Sequence, residues 1–342
     1  MTDGRLKFSR LKGATLLGGM AGIGLSIWLL KSYGIRSIGE LIGRAGWLGI
    51  LAVVAFHGIQ VLCSALGWWV IAEPTPPHQQ LRTYVLLRWI REAVNNLLPL
   101  AQIGGEVVAW RLLRQRGAKL PNAIAGTVAD LTLEMVTQAL FTLLGVVLLL
   151  MSVGDRSMAA AVSGALLVAS MLLAALFAAL RFGLAEFIEN ALLRVGRWMG
   201  WAGVAHVEGL NQALMGCYRQ PAGVARSVLW HMLSWLLGGL EVCLALHFLG
   251  ADVSIETGLV IESLGQAAKA LGFAVPGALG VQEGGYVIVC RAFGLPADLA
   301  IALSLIKRLR EVVLGVPALI LWQHCETRVG ATPNDSITGI IP

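Results

Sequence analysis

The sequence predicts an all-α polytopic membrane protein with about six full spans plus two broken re-entrant hairpins, arranged in two inverted-topology repeats. Three observations predict it. Hydrophobic residues make up 57% of the chain and charged ones 13%, with a mean hydropathy of +0.75; soluble domains run at roughly 45–50% and about 25%. Apolar runs fill nearly the whole length, and no polar block is long enough to fold as a separate soluble domain. A charged stretch with proline and glycine, too short to cross a bilayer, occurs twice in the same register. The chain, 1–342, therefore reads as one integral membrane domain.

The N-terminus joins a basic head, Arg5, Lys7, Arg10 and Lys12, to an apolar run. A cleaved signal peptide has this form, but no small-x-small site precedes "WLLKSYG", so the run is read as a retained span at 13–31. Further spans follow at 46–72, 122–150, 157–181, 222–249 and 297–324, each near or above the ~20 residues a crossing helix needs. Stretches 79–117 and 254–294 fit no simple span.

Basic residues set the orientation. Arg82, Arg88, Arg91, Arg111, Arg114, Arg116 and Lys119 in 73–121, and Arg194, Arg197 and Arg219 in 182–221, mark cytoplasmic faces. Loops 151–156 and 250–256 hold one arginine between them and face outward, while Arg36 and Arg44 in 32–45 run against the scheme. Both termini are then cytoplasmic. The net charge of +6, from 26 Lys and Arg against 20 Asp and Glu, is spread at span ends instead of forming a basic, aromatic-studded face, so nucleic acid is not expected as a partner. Cys63, Cys217, Cys243, Cys290 and Cys325 stand singly without metal-ligand spacing and read as small apolar fillers; no cofactor or metal is expected.

In the connector 182–221, "LAEFIENALLRVGRWMGWA" places Leu184, Phe187, Ile188, Ala191, Leu192, Val195, Trp198 and Met199 at helical spacing. Such a helix lies on the cytoplasmic membrane surface or packs on the protein's own underside.

"PLAQIGGEVVAWRLLRQRG" (99–117) meets "PGALGVQEGGYVIVCRAFG" (276–294) on a shift of 177 residues. Pro99 falls on Pro276, Glu106 on Glu283, Arg114 on Arg291 and Gly117 on Gly294; further on, Glu134 falls on Glu311. The pattern predicts repeat units 46–150 and 222–324, each a span, a broken hairpin and a span. An odd number of crossings within one repeat offset turns the second unit upside down, an architecture recurrent in secondary transporters. Proline removes a backbone donor and the glycines relax the chain, so a helix breaks and restarts at each site. The break must face protein or water, and the restarting helix offers free N–H groups and a positive dipole end, with Glu106 or Glu283 in its first turn.

Asp130 and Glu134 lie four apart in one span, and "IKRLRE" puts Lys307, Arg308, Arg310 and Glu311 in another. At about 2.5–3.5 kcal/mol each at the bilayer centre, these groups must face inward. Three acids against three bases predict that they pair with one another across the two units, either as a fold device or as a path for an ion, proton or headgroup. His57 and His231 read as hydrogen-bonded interior histidines, Trp28, Trp47, Trp68 and Trp69 as interface anchors, and "GGLEVCLALH" as a span without a site. No hydrolase, zincin, nucleotide or dinucleotide motif occurs in a supporting context.

At "RWIREAVNNLLPLAQIGGEVVAWRLL" (88–113) and "ESLGQAAKALGFAVPGALGVQEGGYVIV" (262–289) the chain resembles the flippase-like membrane family related to the transmembrane region of lysylphosphatidylglycerol synthases, and within it a hopanoid-biosynthesis-associated subfamily. The likeness covers roughly 13–325. It implies movement of lipid between leaflets of a bacterial inner membrane, a hopanoid-related or phospholipid cargo, and hopanoid biosynthesis or transport proteins as partners. It also carries over Asn95, Asn96, Pro99, Gly104, Gly105, Glu106, Pro276, Gly277, Gln282, Glu283 and Gly284 as motif positions. In the synthases a soluble aminoacyl-transfer domain follows the membrane part; only a short tail follows here, so synthase activity is not expected.

The leading expectation is a non-enzymatic lipid transporter whose path runs through Glu106, Glu283 and the charged spans. A membrane scaffold for hopanoid enzymes is the alternative, favoured by the 184–199 segment. An intramembrane lipid-modifying enzyme ranks below both, because its acids come without a nucleophile or metal set.

Overall fold

The computed structural model describes residues 35–98, 104–152, 209–271, 278 and 280–329. Among them are nine helices and no strand: α1 (Ile35–Ile71), α2 (Leu81–Leu97), α3 (Gly104–Gln115), α4 (Leu120–Ser152), α5 (Leu210–Tyr218), α6 (Pro221–Phe248), α7 (Ile255–Leu271), α8 (Val281–Ala292) and α9 (Ala297–Val329). The sequence-predicted segments 13–31, 157–181 and 184–199 lie outside the described residues.

Among the described residues, three helices are long and apolar enough to cross a membrane, Ile42–Ile71, Leu120–Ser152 and Pro221–Phe248. The predicted span 297–324 becomes a helix of 33 residues, long enough to cross, but its charged middle keeps it out of that apolar set. Each stretch that fits no span resolves into two helices: 79–117 into α2 and α3, and 254–294 into α7 and α8. The long helix α1 is kinked at Gly46 (φ 59°, ψ −177°).

Adding 177 to the bounds of α3 and α4 gives the bounds of α8 and α9, and the C-terminal ends of α1 and α6 agree likewise. The ends of α3 and α8 are built alike. Gly117 and Gly294 take left-handed φ values of 91° and 70°, which an L side chain resists. Ala118 N–H donates to the Leu113 carbonyl at 3.2 Å and Leu295 N–H to that of Cys290 at 3.0 Å, closing the same glycine cap.

Packing follows the same correspondence. The first half (α1–α4) and the second (α6–α9) meet along α1 and α6, where Gly49 lies against Phe248, Gln60 against Glu241, Ser64 against Ser234 and Gly67 against His231. These two corresponding helices are therefore antiparallel. The hairpins are exchanged, with α2 packing on α9 and α7 on α4. The short α5 rests on α4 and α6. Lipid supplies no hydrophobic drive between helices, so close backbone approach matters; a Cβ added to Gly258 in α7 would stand 2.8 Å from the Gly239 carbonyl oxygen in α6.

Two apolar cores sit at opposite ends. One gathers Trp68, Leu87, Leu112, Ile124 and Leu214, the other Val53, Leu149, Leu246, Tyr286 and Leu303. All four long helices run from one core to the other, and their middles carry the polar residues. Outward faces are apolar: Trp47 is 79% exposed, with Leu48, Met151, Leu229 and Ile320 also exposed, while Asp130 and Glu241 are fully buried. A body apolar outside and charged inside suits lipid as its surroundings. Trp47 fits an interface anchor; Trp68 does not, because it is fully buried against Tyr84.

Candidate functional site

The restart of α3 is held by Asn95, the last polar residue of the inward stripe on α2. Its Oδ1 accepts from Gly105 N–H at 2.8 Å and its amide nitrogen donates to Glu106 at 3.1 Å. Gly105 must be glycine for a second reason: a Cβ would stand 2.3 Å from the Arg91 carbonyl oxygen. The restart of α8 is held by Glu283 itself, which accepts from Gly280 N–H at 2.7 Å, from Ser304 at 3.3 Å and from Arg308 Nε at 3.3 Å. Gly104 begins α3, Gln282 donates to the Tyr286 hydroxyl at 3.2 Å, and Gly284 has open space beside it. Pro99, Pro276 and Gly277 lie outside the described residues.

Arg91 is the hub of the first half. Its guanidinium donates to Asp130 at 2.6 Å and to Glu134, stands 3.7 Å from Glu106, and lies over the Trp68 ring at 5.1 Å. Arg88 grips Glu134 from the other side at 2.7 Å. In the second half Lys307 pairs with Glu262, which also accepts from the Tyr286 hydroxyl, and Arg310 pairs with Glu241. Arg308 bridges Glu283 and Glu311, and Lys269 joins Glu311 at 2.9 Å to Asn96 of the first half at 3.1 Å.

The expectation that the charges of spans three and six pair with one another is therefore corrected. Asp130 and Glu134 are held by Arg88 and Arg91, and the bases at 307–310 by Glu241, Glu262, Glu283 and Glu311. Among the described residues, every buried Lys or Arg pairs with carboxylates of its own half. One matched position changes sign between the halves, Asp130 in α4 against Lys307 in α9, while Glu134 and Glu311, and Glu106 and Glu283, keep theirs.

Contacts across the halves are of another kind. His57 on α1 offers Nδ1 across to Glu241 at 3.0 Å and Nε2 to Glu92 of its own half at 2.8 Å, and His231 on α6 offers Nε2 across to Asp130 at 2.9 Å. Gln60 also donates to Glu241, and Ser64 to Ser234 at 3.0 Å. The whole network holds eight carboxylates against six lysines and arginines, with His57 and His231 as its two imidazoles.

At the meeting of the halves is a cavity of about 240 Å³, lined by residues of α1, α2, α3, α4, α6, α7 and α9. Four bases, Arg88, Arg91, Lys269 and Arg310, face four acids, Glu92, Glu106, Glu134 and Glu262. It has room for several waters or a small polar group. Neither Glu92, Glu241, Glu262 nor Lys269 was assigned a role from sequence. Arg88 and Arg91 were read as cytoplasmic charges, yet Arg91 is 3% exposed, and "GGLEVCLALH" carries Glu241 into the network. The available signal was spacing: 88, 91, 92 and 95, and again 262, 266 and 269, each form one polar stripe.

Long helices with apolar backs and ion-paired middles around a polar cavity define a helical integral membrane protein with a polar interior. The model of the family described as the lysylphosphatidylglycerol synthase TM region matches residues 15–318, and the chain belongs to that family. No curated protein matches the sequence.

Proposed function

We propose that the protein moves a lipid between leaflets of a bacterial inner membrane, the headgroup passing through the central cavity while the acyl or polycyclic part stays in lipid. The observation that carries this is the charge-lined cavity of about 240 Å³ at the middle of an otherwise apolar body. Its four acids and four bases suit a headgroup that needs both signs or hydrogen bonds of both senses. Membership of the lysylphosphatidylglycerol synthase TM region family supports a lipid as cargo. The hopanoid assignment, with hopanoid biosynthesis proteins as partners, rests on the resemblance at 88–113 and 262–289. The role is carriage, not bond-making.

Two inverted repeats with re-entrant hairpins are part of this reading. Supporting it are the helix bounds that agree on a shift of 177, the antiparallel α1 and α6, and the exchanged hairpins. With both termini cytoplasmic, each hairpin enters from its own face and the two meet at the cavity.

Reconstitution into liposomes tests the proposal. Labelled phospholipid and hopanoid should change leaflets faster in proteoliposomes than in protein-free vesicles; equal rates for every lipid would overturn it. Glu106→Gln should keep the Asn95 contact and the fold while slowing transfer at least tenfold.

A further inference from the structure

The geometry points to a proton-binding site at His57, Glu92 and Glu241, placed where the two halves meet. A carboxylate accepts hydrogen bonds and does not donate them. A neutral imidazole has one N–H and one lone pair, so it can satisfy one of two flanking carboxylates. His57 faces a carboxylate oxygen at both nitrogens, at 3.0 Å and 2.8 Å. The arrangement is complete only when the three groups share one proton more than a neutral imidazole and two carboxylates carry. Charge balance favours such a proton, since eight carboxylates face six lysines and arginines and a protonated His57 narrows the deficit from two charges to one.

The three groups differ in what else holds them. Glu241 is fully buried and keeps Arg310 of α9 and Gln60 of α1 whatever the state of the imidazole. Glu92 has a side chain 25% exposed, lines the cavity, and has His57 as its hydrogen-bond partner. Other charges facing the site are Arg88 of α2 and Glu134 of α4, bound to each other, and Glu311 of α9, bound to Lys269 and Arg308. The exchangeable proton therefore leaves His57 Nε2 through Glu92 to solvent in the cavity, turning imidazolium into imidazole. The remaining N–H, at Nδ1, stays on Glu241, and the bare Nε2 is left against Glu92. Losing the proton thus sets a lone pair against the Glu92 carboxylate and loosens α1 from α2 at the cavity wall, while the Nδ1 bond to Glu241 between the halves and the lysine and arginine pairs within each half remain. Coupling of this step to lipid movement rests on the transport reading; proton binding itself does not.

The test uses the full chain purified in detergent, with thermal unfolding followed from mildly acidic to mildly alkaline pH. The folded state favours the protonated imidazole, so stability is present at low pH and is lost as pH rises. Wild type should show this fall, and His231→Gln should retain it. His57→Gln should abolish most of it, and Glu92→Gln, which keeps an acceptor but removes a charge, should move the fall to lower pH. A His57→Gln profile matching wild type would overturn the site. In liposomes, an imposed pH step should change the lipid transfer rate of wild type at least threefold and leave that of His57→Gln unchanged; equal responses would overturn the coupling. Absence of transfer at any pH would overturn the transport reading while the unfolding profiles still decide the proton site.

Discussion

Arg91 stands among Asp130, Glu134 and Glu106, with the Trp68 ring beneath it. Removing its charge strands buried carboxylates, which costs about 3–5 kcal/mol. Arg91→Leu should therefore lower stability in detergent by that amount. Arg91→Lys should recover only part, because one ammonium cannot reproduce a fork that reaches two acids at once. Glu134 gives a sharper test of which partners matter. Glu134→Gln deprives Arg88 of its carboxylate, and adding Arg88→Gln should restore stability. Changing Lys307 or Arg310 alongside Glu134→Gln should restore none, since those bases answer to Glu262 and Glu241. Denaturation midpoints for the single and double variants measure this coupling directly.

At the scale of elements, the two restarting helices share their bounds but not their support. Gly105 packs on the backbone of α2, whereas Gly284 has open space around its α-carbon. Gly105→Ala should push α3 off α2 and destabilise by about 1–3 kcal/mol, while Gly284→Ala should stay within about 0.5 kcal/mol; unfolding of the two variants in the same detergent compares them. This asymmetry also explains how much was legible beforehand. The match of Pro99, Glu106, Arg114 and Gly117 to their counterparts gave the register of α3 and α4 on α8 and α9. The networks around α2 and α7 stayed hidden because a polar stripe on an amphipathic helix has the same period whether it faces water or a charged interior. Partners of the span-six bases were missed for a related reason: Glu241 is a lone carboxylate in an apolar run, and spacing cannot say which helix lies beside it. For 13–31, 157–181 and the 184–199 segment, comparison stops at the described residues.

For the molecule as a whole, the antiparallel contact of α1 and α6 makes two predictions. In a cysteine-free background, Ser64→Cys with Ser234→Cys should form a disulfide on mild oxidation, because their hydroxyls already touch at 3.0 Å; no cross-link under any oxidant would contradict the pairing. Cysteines placed at Gly117 and Gly294 should react with membrane-impermeant reagents from opposite sides, and reaction from the same side would end the inverted arrangement. The change of sign from Asp130 to Lys307 bears on how such a molecule could have been doubled from one unit. Two identical copies would set the Arg88 and Arg91 of one beside the Asp130 and Glu134 of the other, since the hairpin of each half packs on the last helix of its neighbour. Every base would then have had two acids to choose between, and the copies would have been latched by the same bonds that close each copy on itself. With Lys307 at the place of Asp130, α2 meets a base there in α9 instead of an acid. That replacement removes one such latch from the seam, which His57 on Glu241 and His231 on Asp130 close with hydrogen bonds of a different kind.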